Sequence, residues 1–174
     1  GASNVGKSFV ALDMGHAISQ GRPWAGQNTT KMGVLYLATE GGRKIGQRAL
    51  ALRKAHGRSG GDAPFVILSD SVDLFSSKED ISELVATANS VEGLGLIVVD
   101  TLARVFGSGD ESGTKDMNAF IRNIDRLRAA TKAHVMLVHH TGKDESRGAR
   151  GSSVLRAAVD TEIEVTKSGD ESAP

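Results

Sequence analysis

Four apolar runs, Val34-Leu35-Tyr36-Leu37, Phe65–Leu68, Leu96–Val99 and Val135–Val138, are the strongest constraint on the fold of this chain. Each has the length of one strand. An unbroken apolar run has no wet side, so each strand must be covered on both faces. Longer helical patterns separate them. Ser8–Gln20 places Phe9, Leu12 and Ala17 near one face, and Ile81, Leu84, Val85 and Ala88 repeat at helical spacing after a capping box at Ser76-x-x-Glu79. In Lys115–Thr131 the residues Met117, Phe120, Ile121, Ile124 and Leu127 form one stripe. Strands alternating with helices predict an α/β fold, a mostly parallel sheet flanked by helices. A fifth run, Thr161–Thr166, alternates Ile163 and Val165 with Glu162 and Glu164, which predicts a strand with one wet face.

A chain of 174 residues fits one domain, and no repeat or linker divides it, so residues 1–174 are read as a single domain. Both ends are expected to be cut. The sequence starts on the first glycine of its strongest motif, without the strand that motif needs before it, and stops on a polar segment, Ser168–Pro174. No apolar stretch approaches the roughly 18 residues of a membrane span, and a cytoplasmic protein is expected. With no cysteine there is neither a disulfide nor a thiolate metal site. Lys+Arg and Asp+Glu are equal at 21 each, so any grip on nucleic acid must be local. Glycine is in excess, at 21 residues against a typical ~7% of a chain. That excess suits tight turns and close backbone approaches.

Gly1-Ala2-Ser3-Asn4-Val5-Gly6-Lys7-Ser8 fits G-x-x-x-x-G-K-[ST], a phosphate-binding loop. Glycines let backbone N–H groups curl around a phosphate, and the following helix points its positive end there. Lys7 can reach the β- and γ-phosphates, and the Ser8 hydroxyl can bind Mg²⁺. Leu96-Ile97-Val98-Val99-Asp100 is an apolar strand ending in a carboxylate, placed to hold Mg²⁺ or its waters opposite that serine. Tyr36-Leu37-Ala38-Thr39-Glu40 brings a second acid just past a strand, either a group that polarises the attacking water or a solvated turn residue. Val138-His139-His140 ends a third strand. Zinc would need a third ligand that is not spaced nearby, which leaves a γ-phosphate sensor or an ordinary strand-end histidine. Glu40, Asp100 and His140 all fall at carboxyl ends of predicted strands, the edge where open α/β sheets bind ligands.

This set resembles the RecA-like ATPases of the replicative-helicase type, most closely the plasmid RepA-like hexameric helicases and related AAA-type domains of phage and plasmid replication proteins. The resemblance rests on Gly1–Ser8, Tyr36–Glu40, Asp100-Thr101-Leu102-Ala103-Arg104, His139-His140-Thr141-Gly142-Lys143 and Arg150-Gly151-Ser152-Ser153, in order along nearly the whole chain. It implies a RecA-like P-loop fold whose first strand lies outside this sequence and would pair with Val135–His139, not with Leu96–Val99. It implies ATP hydrolysis with Mg²⁺ at Ser8 and Asp100, Lys7 on the phosphates, Glu40 as catalytic glutamate and His140 as γ-phosphate sensor. Gly1, Ala2, Ser3, Asn4, Val5, Gly6, Lys7, Ser8 and Phe9 would surround the nucleotide. The loop carrying Lys143, Arg147, Arg150, Ser152 and Ser153 would face single-stranded DNA in the channel of a homo-oligomeric, hexameric ring. One departure concerns the arginine that acts on a neighbour's ATP. Asp160 stands at its expected position, with Arg156 and Lys167 as substitutes.

Two readings of function follow. One is the ATP-driven motor of a DNA replication or mobilisation protein; the other is a nucleotide-dependent binding or signalling module that does not translocate. Gly41–Gly61, with Arg43, Lys44, Arg48, Arg53, Lys54 and Arg58 and no acid, is either a nucleic-acid face or a solvated helix held by Ile45, Ala49 and Leu52. The acids of Asp70–Glu92 offer a third option, a match between subunits. Trp24, in a loop, is read as structural.

Overall fold

The computed structural model describes residues 5–39, 43–56, 64–140 and 153–166. In chain order they form α1 (Lys7–Gln20), β1 (Gly33–Ala38), α2 (Arg43–His56), β2 (Phe65–Leu68), α3 (Lys78–Ser90), β3 (Leu94–Asp100), α4 (Leu102–Val105), α5 (Thr114–Thr131), β4 (His134–Val138) and α6 (Ser153–Ala158). The strands build one sheet in the order β2-β1-β3-β4, parallel throughout. This is the α/β architecture expected, and it is consistent with a RecA-like P-loop fold.

Two apolar layers cover the sheet. Leu35, Leu37, Ile97 and Val99 pack with residues of α3, α4, α5 and α6, including Leu84, Leu102, Phe120 and Leu155. Val34, Tyr36, Ala38, Leu96 and Val98 pack with Ala11 and Leu12 of α1 and Ile45 of α2. The period-2 alternation of strand side chains divides each apolar run between the two layers. In the α5 stripe Met117, Phe120, Ile124 and Leu127 are buried, and the Phe120 ring lies 4.9 Å from that of Phe106. Among the described residues no helix is long and apolar enough to cross a membrane.

Because β3 is paired on both sides, a strand preceding the glycine motif has no place beside it. Among the described residues no strand pairs with the other edge of β4. A groove of about 980 Å³ runs along it, lined by Val10 and Met14 of α1, Ile121 and Ile124 of α5, and Met136.

Two expectations are corrected. Residues 161–166 form no strand, and Ile163 is exposed. Residues 161–165 line the groove beside β4 without joining its ladder, and Glu162 accepts hydrogen bonds from Arg156 at 2.9 and 3.0 Å. The cap of α3 is Ser77, not Ser76. The Ser77 hydroxyl accepts from the Asp80 N–H at 3.1 Å and donates to its carboxylate, while Ser76 is bound to Asp73.

Between α1 and α2 lies a polar cluster. Asp13 accepts from Trp24 Nε1 at 3.0 Å and sits 3.2 Å from His56 Nε2, and the buried His16 ring stacks on His56. Burial holds the His16 pKa below its ordinary 6.5, and the nearby Arg22, His56 and Arg53 add to the shift against Asp13. The neutral ring is therefore favoured in the folded state, and the unfolded chain binds the extra proton below pH 6.5. Stability should be full above that pH and fall with acidification, with this group adding up to about 1.4 kcal/mol per pH unit. Denaturant titrations at stepped pH should show a shallower acid slope for His16→Gln than for the unsubstituted chain.

Candidate active site

Register brings the site together. Ala38 pairs with Asp100, and Asp100 pairs with Val138, so β1, β3 and β4 end level with one another. The residues that follow these ends are Thr39, Thr101 and His139. Helix α1 runs against the strand direction. Its end is tied to the start of β1, where the Met32 N–H donates to Ile18 O, and Lys7 at its beginning lines the β4 groove together with Val138 and His139. The N-terminus of α1 thus stands at the carboxyl rim of the sheet.

That terminus is suited to an anion. Gly6 caps it with φ +95°, a conformation that side chains rarely adopt, and none of the described residues comes within 4 Å of where a Cβ would be. Among the described residues no side chain caps it, and no acid occupies its first turn, which suits first-turn N–H groups to a phosphate. Lys7 and Ser8 are half-buried there, and the exposed Phe9 ring lies under the Arg48 guanidinium at 4.7 Å. Gly1, Ala2, Ser3 and Asn4 lie outside the described residues, as does Glu40.

Asp100 is the buried centre of the rim, with none of its surface exposed. The Tyr36 phenol donates to its Oδ2 at 2.7 Å, while Oδ1 is buried without a hydrogen-bond partner. Burial, and then the adjoining carboxylate, push the Tyr36 pKa far above the ordinary value, so the phenol stays protonated and remains a donor. Thr39 fixes the backbone beside it. Its N–H and its hydroxyl donate to the Asp100 carbonyl at 2.9 and 3.0 Å, and the hydroxyl accepts from the Thr101 N–H at 3.2 Å. Tyr36 and Thr39 escaped the sequence reading, since one passes for a plain strand residue and the other for a link to Glu40.

Of the histidines, His139 Nδ1 lies 4.0 Å from Glu111 Oε2, and His140 is half-buried just beyond it. Among the described residues no three His, Asp or Glu side chains are arranged to hold a metal ion. Magnesium does not require such a cluster, because one or two oxygen ligands and substrate phosphates suffice. The buried Oδ1 of Asp100, which has no hydrogen-bond partner, has the chemistry of such an oxygen ligand. Lys143, Arg147, Arg150 and Ser152 lie outside the described residues, and Ser153 is the exposed first residue of α6.

The model of the AAA domain family matches residues 1–146. The chain belongs to that family. Membership makes it an ATPase-type, nucleotide-binding domain of the P-loop superfamily, which agrees with an anion-ready helix beside a buried carboxylate. A search of the curated proteins finds no match.

In this AAA domain the Thr39 hydroxyl joins the ends of two strands. Thr39→Val keeps the shape but removes the hydroxyl that donates to the Asp100 carbonyl and accepts from the Thr101 N–H, which should cost about 1–3 kcal/mol. Chemical denaturation measures that loss, and turnover should fall with it as Asp100 loosens.

Proposed function

We propose that this AAA domain hydrolyses ATP with Mg²⁺ as the motor of a DNA replication or mobilisation protein, working as a hexameric ring on single-stranded DNA. The observation that carries the reading is the level ending of three strands, which sets Asp100 and the residues around it at one rim with the α1 N-terminus. In this reading residues 1–174 act as one domain. Lys7 binds the β- and γ-phosphates, Ser8 and Asp100 hold Mg²⁺, Glu40 orients and polarises the attacking water, and His140 senses the γ-phosphate. Glu40→Gln should preserve ATP binding and abolish turnover, because an amide cannot polarise water as a carboxylate does. Lys7→Ala should weaken binding itself. Equilibrium binding and steady-state hydrolysis by the full polypeptide separate the two effects, and near-normal turnover by Glu40→Gln would reassign the base.

The DNA part of the proposal rests on the cations Lys143, Arg147 and Arg150 next to Ser152 and Ser153. One copy of that loop carries little net charge, but a ring repeating it offers several cations to one strand. Replacing Lys143, Arg147 and Arg150 together with alanine should remove DNA stimulation of hydrolysis while leaving the basal rate nearly unchanged.

A specific observation favours a second reading, a nucleotide-dependent switch that holds partners without translocating. Asp160 occupies the place of the trans-acting arginine, and Arg156, one substitute for it, is tied to Glu162 within its own chain. ATP-dependent assembly without DNA stimulation would favour that second reading.

A further inference from the structure

The carboxylate of Asp100 is aimed by a side chain on a different strand. β1 pairs with β3 so that Tyr36 lies opposite Val98 and Ala38 opposite Asp100. Side chains two residues apart on a strand share a face. Tyr36, Ala38, Val98 and Asp100 therefore share the face covered by α1. The residue directly opposite Asp100 is an alanine, whose methyl neither fills the space above the carboxylate nor bonds to it. The diagonal neighbour Tyr36 is long enough to cross that space, and its phenol donates to Oδ2 at 2.7 Å. The ring is itself held, fully buried and 6.3 Å from that of Phe65. The Asp100 main chain is held by Thr39 through its carbonyl. With main chain and one carboxylate oxygen both fixed, the direction of the other oxygen is no longer free. That oxygen, Oδ1, is buried and unpartnered, a costly state unless a ligand completes it.

We propose that Tyr36 is a positioning residue that holds Asp100 with Oδ1 turned toward a nucleotide-bound divalent cation. The proposal rests on the reading of Ser8 and Asp100 as the Mg²⁺ site. A metal ligand whose second oxygen is fixed by a neutral donor keeps its charge for the metal and cannot swing to chelate elsewhere. The phenol does not touch the cation or the phosphates; it acts through Asp100 alone.

The test uses the full polypeptide with ATP, with and without Mg²⁺. Tyr36→Phe keeps the ring and removes only the donor. Losses of an outer-shell partner run to about 10–100-fold. Tyr36→Phe should accordingly raise the Mg²⁺ concentration needed for tight ATP binding at least tenfold, with affinity in EDTA within about twofold of the unsubstituted protein. An unchanged Mg²⁺ requirement would overturn the proposal, and so would an equal loss with and without metal, since a merely structural role predicts that. If the unsubstituted protein binds no ATP under either condition, the nucleotide reading falls and this proposal falls with it.

A second measurement does not depend on the variant folding. Tyr36 is the only tyrosine of residues 1–174, so with ring-deuterated tyrosine introduced into that segment alone, the isotope-shifted tyrosine doublet in ultraviolet resonance Raman spectra of the full polypeptide reports its hydrogen bond alone. In the unsubstituted protein the doublet should read a strong donor before ligand is added. It should shift on adding ATP with Mg²⁺, because a cation on Oδ1 draws charge from Oδ2. ATP in EDTA should leave it in place. A doublet indifferent to Mg²⁺ in protein that binds Mg²⁺ and ATP would overturn the proposal.

Discussion

A carboxylate that water does not reach sits at the end of the central strand, and the architecture around the rim follows from keeping it there. Burying an ionised group costs several kcal/mol unless hydrogen bonds replace its hydration. The Tyr36 phenol supplies one such bond. That bond requires β1 beside β3 in one register only, with alanine opposite Asp100. A slip of one residue would turn Tyr36 to the other face of the sheet and remove the donor altogether. The buried pair thus adds specificity to a sheet whose remaining contacts, Val on Leu and Ile on Val, would tolerate other alignments.

The parallel sheet was legible because strands buried on both sides carry no polar residues to break the run, as in Val34–Leu37 and Leu96–Val99. The true strands extend further, to Gly33, Ala38, Leu94 and Asp100, because backbone pairing continues past the apolar run. Asp100 and the histidines were legible for a related reason: a polar residue just after such a run lies at the sheet's edge. The Tyr36–Asp100 bond was not, since it joins residues 64 apart in sequence and depends on register, which no local pattern encodes. The reading of Thr161–Thr166 as a strand failed for the converse reason. Alternation describes how a segment would present its faces, but a strand forms only where its N–H and C=O groups enter a ladder, and residues 161–165 line the groove beside β4 without pairing to it. Helices α4 and α6, of four and six residues, are too short for a periodicity to show.

The second layer settles what holds the basic segment after β1. Ile45 is buried and Leu52 packs on the same apolar cluster, so α2 has a core-facing side that accounts for its position without any ligand. Lys44, Arg53 and Lys54 face solvent, where they cost nothing and are free to act in steering. The tie between α2 and α1 is polar, through His56 and Asp13. Trp24 donates to the same aspartate. A loop tryptophan thereby serves the packing of α1 and is not presented for stacking on bases.

Electrostatics gives the rim its last requirement. The N-terminus of α1 attracts an anion, and the sheet face that α1 covers ends in the carboxylate of Asp100. Two negative groups converging on one water-poor rim repel each other far more strongly than they would in solvent. Under the proposed function Lys7 would offset part of that repulsion at the phosphate end, but among the described residues the Asp100 carboxylate is bonded by the neutral Tyr36 phenol, which satisfies one oxygen and neutralises nothing. A small divalent cation between the phosphates and Oδ1 would remove the repulsion and fill the empty hydrogen-bonding position together. Under the proposed function the same buried oxygen would make binding depend on the cation, because phosphate without metal would meet an uncompensated carboxylate.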